Sequence, residues 1–202
     1  MKRLIVARHA EAVSNVDGIV SGVVPGARLS ARGRREAADL GRKLATEPIE
    51  LGVSSLFERT RETLQLALAS HRLVPTIAMP ELDEIGFGLF EGGPLAAYRD
   101  WAWTNEPDEP CPGGGESRSD VALRIATALD LLLARPEQTI LVVGHALPLR
   151  YVLDAADGSF PAAKIEHLAH ATPYPLTPEQ VETAAETLRV WAEAPQFRDA
   201  SV

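Results

Sequence analysis

Short apolar runs alternate with longer amphipathic segments along the 202-residue chain. Continuous apolar runs predict buried strands over residues 4–7, 51–54 and 139–143. A fourth run, over residues 76–79, lies between two prolines. This favours an edge strand, because proline cannot donate a hydrogen bond to a neighbouring strand.

Apolar residues at helical spacing predict helices between these strands, over residues 31–45, 58–70, 94–105, 121–134 and 147–154, with a last helix opening at Thr177. Ser30 and Ser117 are typical N-caps, and Ser117 forms a capping box with Asp120. Alternation of strands and helices with crossovers of this length predicts a three-layer α/β/α sandwich with a mainly parallel central sheet. At this length we expect one domain spanning residues 1–202.

Composition narrows the possible partners. The formal net charge of −8 argues against binding to nucleic acid or to an anionic membrane surface, since both require a positive field. One cysteine excludes an internal disulfide and a thiolate metal cluster. There is no signal peptide pattern and no apolar run of membrane-spanning length, so we expect a cytoplasmic protein.

Basic and imidazole side chains follow the predicted strands. Arg8 and His9 come directly after the first strand, and His145 comes after residues 139–143. Arg59 falls in the first turn of the helix that follows residues 51–54, where backbone amides favour an anion. Parallel strands would bring these groups to one edge of the sheet, where ligands bind in open α/β folds. The residues predict a dianion pocket suited to phosphate; the plainer alternative is a basic surface turn after the first strand.

Six motifs occur in a recognisable order over roughly the first 150 residues. They are Arg8-His9-Ala10-Glu11 with Asn15, Leu29-Ser30-Ala31-Arg32-Gly33, Ser54-Ser55-Leu56-Phe57-Glu58-Arg59 with Thr63, Leu82-Asp83-Glu84 followed by Phe87-Gly88 and Glu91-Gly92, Gly114-Gly115-Glu116-Ser117, and Val143-Gly144-His145. Together they resemble the histidine phosphatase superfamily, the phosphoglycerate mutase-like proteins. The resemblance implies the phosphoglycerate mutase-like fold.

The resemblance also implies a reaction and its residues. His9 would attack phosphorus and form a phosphohistidine that water later hydrolyses. Arg8, Arg59 and His145 would hold the phosphoryl oxygens, and Asn15 would add a hydrogen bond. Glu84 would protonate the leaving oxygen. The expected activity is phosphomonoester hydrolysis on a small phosphorylated substrate without metal or cofactor, by a monomer or homodimer.

Several points stay open at this stage. A phosphoglycerate mutase is the nearest alternative, although only residues 85–112 separate the acidic motif from Gly-Gly-Glu-Ser, whereas family mutases carry a long insertion there. A catalytically silent phospho-ligand binding module is a further one. Glu81 and Asp83 are adjacent alternatives to Glu84, and the aromatic group over residues 87–103 is typical of core yet falls where the family shapes its substrate site. His71, His167 and His170 are interpreted as surface or structural residues.

Overall fold

A five-stranded sheet lies at the centre of the structure, a computed structural model that describes residues 1–71 and 73–198. Its strand order is β3-β2-β4-β1-β5. The strands are β1 (Arg3–Arg8), β2 (Leu51–Ser54), β3 (Thr76–Ala78), β4 (Thr139–Gly144) and β5 (Pro173–Leu176). Strands β1 to β4 run parallel, and β5 pairs antiparallel with β1. The predicted mainly parallel sheet is confirmed, and the 76–79 run is an edge strand.

Seven α-helices surround this sheet in the described part of the chain. They are α1 (Val13–Asp17), α2 (Ala31–Lys43), α3 (Glu58–Ala67), α4 (Leu95–Ala102), α5 (Arg118–Leu133), α6 (Ala146–Ala156) and α7 (Pro178–Glu193). Ser30, Ser117 and Thr177 cap α2, α5 and α7 through their side chains, and Ser117 forms the capping box predicted with Asp120. No helix within residues 1–71 and 73–198 is long and apolar enough to cross a membrane.

Alternate residues of β1 are buried on opposite faces of the sheet. Leu4 and Val6 pack into the cluster that contains the apolar side chains of α5, α6 and α7. Ile5 and Ala7 pack into a second cluster with residues of α2 and α3. Burial on both faces explains why the strands read as continuous apolar runs rather than as alternating patterns. The three-layer α/β/α architecture is therefore as predicted.

Two elements, β5 and α1, were not predicted from the sequence pattern. Strand β5 contains Pro173 and Pro175, which argue against a strand, but β5 lies at the sheet edge. The backbone nitrogens of successive strand residues point to opposite edges of the strand, so the nitrogens of the two prolines point to the same edge. In an edge strand that edge can face away from β1, where no N–H donor is needed. Helix α1 is only five residues long, too short for helical periodicity to show, and it ends at Gly18 with φ of 66°.

The parallel register places three strand ends together. Arg8 at the end of β1 is paired with Gly144 at the end of β4, and Ser54 at the end of β2 is paired with Val143. The residues that follow these strands therefore emerge at the same edge of the sheet, as predicted.

Candidate active site

The two histidines that follow β1 and β4 lie next to each other. The ring centroids of His9 and His145 are 5.4 Å apart, and both side chains are buried. The guanidinium of Arg59, from the first turn of α3, lies between them and donates to both rings. The structure thus brings together the two imidazoles and the arginine that the sequence placed after three different strands.

The hydrogen bonds of His9 define its tautomer. Its Nδ1–H donates to the carbonyl of Ala10 at 2.7 Å, and its Nε2 accepts from Nε of Arg59 at 3.1 Å. Burial lowers the pKa of His9 well below its usual value, and the charges of Arg59 and Arg8 lower it further. The ring is therefore neutral, with its lone pair on Nε2.

His145 takes the opposite tautomer, as counting the hydroxyl protons shows. The Thr60 hydroxyl donates to the Phe57 carbonyl at 2.8 Å, so Ser55 must donate to Thr60. The Ser55 oxygen then accepts from Nε2–H of His145 at 2.8 Å, and Nδ1 of His145 accepts from Arg59 at 3.1 Å. Burial and the Arg59 charge lower the pKa of His145 as well.

Arg8 and Arg59 retain hydrogen-bonding capacity. Arg8 donates to the Leu168 carbonyl and Arg59 to the Ser21 carbonyl. Nε of Arg8 and Nη1 of Arg59 are buried and have no partner among the described residues. Burial lowers the pKa of Arg8 to about 10, so it stays charged at neutral pH. Neither arginine lies within 4.0 Å of a carboxylate in the described part of the chain, so both charges can be balanced by a bound anion.

Of the three adjacent acids, Glu84 is the one that faces these groups. Its Oε2 lies 3.8 Å from Nδ1 of His145, and its side chain is 13% exposed. Asp83 instead accepts from the backbone amide of Leu56, and neither Asp83 nor Glu81 lines the cavity. Burial raises the pKa of Glu84 above its usual value, although Arg59 opposes the shift.

Arg124 of α5 holds the acidic segment in place. Its guanidinium donates to the backbone carbonyls of Glu81, Asp83 and Glu84 at 2.7–3.1 Å. Glu116 accepts two further hydrogen bonds from Arg124, at 2.8 and 3.0 Å, and accepts another from the amide of Gly86. The Gly-Gly-Glu-Ser turn therefore supports Glu84 through Arg124, a function that its sequence did not indicate.

The loop after His9 is held by contacts with two helices, α3 and α2. The amide of Ala10 donates to the Thr63 hydroxyl at 3.0 Å. Ala10, where the family usually has glycine, does not have positive φ, so alanine is tolerated there. Gly33 of α2 packs against the backbone of Glu11 so closely that a Cβ would lie 2.0 Å from the Glu11 oxygen.

Asn15 lines the cavity, and its Oδ1 accepts from the Ala12 amide, which leaves its NH₂ group for a ligand.

His170 is a site residue that sequence analysis interpreted only as surface or structural. Its Nδ1–H donates to the backbone carbonyl of His9 at 2.8 Å, and its ring centroid lies 5.6 Å from that of His9. The amide of Ala171 donates to the Arg8 carbonyl. The signal available in sequence was positional, because His170 stands where many family members have asparagine before a small residue.

A cavity of about 390 Å³ opens from these residues. Arg8, His9, Asn15, Arg59 and Glu84 line one end of it. The remaining wall includes residues of α4 and residues 163 and 165–168. No group of three His, Cys, Asp or Glu side chains is placed to hold a metal ion within residues 1–71 and 73–198.

The family model for the histidine phosphatase superfamily (branch 1) matches residues 4–192. The chain belongs to this superfamily. Its match extends past the last sequence motif, His145, and includes the segment that carries His170.

Relatives of this histidine phosphatase include named enzymes. The chain is 33% identical over 153 residues to an adenosylcobalamin/alpha-ribazole phosphatase of Escherichia coli (strain K12), which covers 71% of this chain and 73% of the relative. It is 31% identical over 157 residues to phosphoserine phosphatase 1 of Hydrogenobacter thermophilus, covering 74% of each. The crystal structure of the alpha-ribazole phosphatase from Shigella flexneri superposes with a TM-score of 0.68 at 32% identity, covering 78% of this chain and 80% of that one. The protein is a phosphatase-type enzyme of this superfamily.

Proposed function

We propose that the protein hydrolyses small-molecule phosphomonoesters through a phosphohistidine on His9, without a metal ion. The observation that carries the proposal is the neutral His9 ring, with its Nε2 lone pair beside the buried Arg59 and the half-buried Arg8, each of which has an N–H group without a partner among the described residues that can receive a phosphate. A buried cationic cluster of this kind takes the place that a metal ion occupies in many other phosphoryl transfer enzymes.

In the first step, Nε2 of His9 attacks phosphorus and the bond from phosphorus to the leaving oxygen breaks. The lone pair that attacks is the one that accepts from Nε of Arg59 in this structure. Substrate phosphate therefore has to draw the Arg59 N–H groups onto its own oxygens before attack. Glu84, whose pKa is raised by burial, passes its proton to the leaving oxygen.

In the second step, water attacks the phosphohistidine. Glu84, now a carboxylate, takes a proton from that water, and the bond from phosphorus to Nε2 breaks. Inorganic phosphate leaves, and the lone pair returns to His9. Arg8 and Arg59 hold the phosphoryl oxygens in both steps, and Asn15 donates through its NH₂ group. His145, which the sequence resemblance also assigned to the phosphoryl oxygens, has its Nε2–H on Ser55 and its Nδ1 on Arg59 in this structure, so it orients Arg59 instead.

Phosphate release and trapping of the intermediate test this proposal. We expect the wild-type protein to release phosphate from a broad phosphomonoester panel and to carry an acid-labile phosphoryl group after rapid quenching. His9→Ala should lose both, and EDTA should change neither. Chelator-sensitive turnover, or full turnover by His9→Ala, would contradict the mechanism.

The same panel separates the alternatives. Conversion of 3-phosphoglycerate to 2-phosphoglycerate that depends on 2,3-bisphosphoglycerate, with little free phosphate, would identify a mutase instead. Tight binding of phosphate esters with no phosphoenzyme and no turnover of any of them would identify a binding module.

A further inference from the structure

Most of the cavity wall beyond the phosphate end is apolar. This wall is lined by Val20, Leu95, Ala102, Leu147, Ile165 and Leu168. The volume of about 390 Å³ falls within the range of roughly 300–1,000 Å³ that is typical of pockets for complete small molecules. The leaving group of the substrate therefore has a separate part of the cavity, the chamber, where most of the lining residues are apolar and the charged or imidazole ones are Arg99, Arg118, Glu166 and His167.

Aromatic side chains complete the chamber. Tyr98 of α4 lies edge to face with Phe87 at 4.7 Å between ring centroids, and both line the cavity. Trp103, just after α4, also lines it and is 41% exposed, although Nζ of Lys164 lies 5.0 Å from the centroid of its ring. Aromatic walls favour flat, apolar ligands through contact area and ring stacking.

Tyr98 also carries a polar group that the fold does not use. Its side chain is 7% exposed, and its hydroxyl is buried without a hydrogen-bond partner among the residues the structure describes. Buried tyrosine hydroxyls ordinarily have a partner, and one left without a partner requires an explanation. Tyr98 lines the cavity, so a ligand that displaces the side chains covering the hydroxyl can supply the acceptor.

The geometry points to a substrate class: phosphomonoesters whose leaving group is an apolar ring system bearing a hydrogen-bond acceptor for the Tyr98 hydroxyl. The inference rests on the proposed phosphatase function and deepens it. The main competing class is the small phosphorylated acids, whose carboxylate would use Arg99, an exposed residue of α4 at the same cavity.

The first test compares leaving groups. We expect kcat/KM for phosphate release to rise from ethyl to 2-phenylethyl to 2-(1-naphthyl)ethyl phosphate, primary alkyl esters whose leaving alcohols have nearly the same acidity, by about fourfold for each methylene-sized increment that the chamber buries. Trp103→Ala should make this rise smaller. A kcat/KM for phosphoserine or 3-phosphoglycerate above that for the naphthylethyl ester, lost in Arg99→Ala, would overturn the inference.

The second test isolates the hydroxyl. Acetylphenyl phosphates, substituted in the ortho, meta or para position, carry an acceptor that the matched ethylphenyl phosphates lack. Tyr98→Phe should lower kcat/KM for the best acetyl substrate about tenfold more than for its ethyl partner, the effect of one buried hydrogen bond. Taking the ratio of variant to wild type for each substrate cancels the different acidities of the two leaving groups.

Tyr174→Phe is the matched control, because Tyr174 lies on the edge strand β5 and does not line the cavity. Tyr174→Phe should change kcat/KM by the same factor for the acetyl and the ethyl substrates. If Tyr98→Phe lowers kcat/KM equally for the acetyl and ethyl substrates at all three ring positions, the substrate does not accept a hydrogen bond from Tyr98, and that part of the inference is wrong. Absence of phosphate release from every ester would instead be a failure of the proposed function itself.

Discussion

The support of Glu84 by Arg124 leads to a prediction about leaving groups. One guanidinium donates five hydrogen bonds, three to the carbonyls of Glu81, Asp83 and Glu84 and two to Glu116. Arg124→Met removes all five, while its apolar stem still packs. We expect the acidic segment to shift, and a displacement of about 1 Å at a reacting group costs roughly 100-fold in rate.

The loss should depend on how much the leaving oxygen needs a proton. An alkyl phosphate leaves as a strongly basic alkoxide, so kcat/KM should fall about 100-fold, within the roughly 10²–10⁴-fold range of general acid catalysis. A 2,4-dinitrophenyl phosphate leaves without protonation, and its kcat/KM should fall only a few-fold. Since kcat/KM covers steps up to the first irreversible one, hydrolysis of the phosphohistidine does not mask the difference.

Glu84→Gln provides the comparison for Arg124→Met. It should show the same dependence on the leaving group, and the double variant should be no slower than Glu84→Gln alone, because both changes remove one function. Arg124→Lys keeps the charge but not the planar guanidinium, so its kcat/KM should lie between those of the wild-type protein and Arg124→Met. Equal losses for both substrates, or losses that add in the double variant, would refute the reasoning; thermal melts establish that each variant is folded.

Three further predictions concern the site and its supports. In the proposed mechanism Glu84 acts in its protonated form, and burial raises its pKa. We therefore expect kcat/KM for an alkyl phosphate to fall as the pH rises through that pKa, and Glu84→Gln to remove this limb of the profile. His170→Ala should lower kcat/KM about tenfold by freeing the His9 carbonyl, while His170→Asn, whose amide can donate to the same carbonyl, should recover most of it; equal losses would contradict this function of the hydrogen bond. Gly33→Ala should destabilise the protein by about 1–3 kcal/mol in urea unfolding, since its Cβ meets the Glu11 carbonyl, and an unchanged midpoint would show that α2 moves away freely.

The sheet and the phosphate end of the site could be predicted from sequence for one physical reason. Strands β1, β2 and β4 are buried on both faces, so they appear as apolar runs, and the charged residues that follow each run mark the sheet edge. Parallel pairing then brings Arg8, His9 and His145 together without any further information. Helix caps are equally local, which is why the capping box of Ser117 and Asp120 was predicted correctly, although α5 begins at Arg118 rather than at residue 121.

Other features depend on contacts between distant parts of the chain. The choice of Glu84 over Asp83 is made by Arg124, about 40 positions later, and by the Leu56 amide, which engages Asp83. The hydrogen bond from His170 to the His9 carbonyl spans 161 positions. No local pattern reports such pairings, because they arise only when separate elements pack against each other.

Strand β5 shows the same division, since its prolines are compatible with a strand only at an edge that tertiary structure creates. The sequence by itself determined the layered fold and the chemistry at the strand ends, because buried strands and helix caps each produce a recognisable pattern among neighbouring residues. Only the tertiary structure decided the tautomers of the two histidines, which acid faces them, and the chamber with the Tyr98 hydroxyl, because each depends on atoms that packing alone brings within a few ångströms.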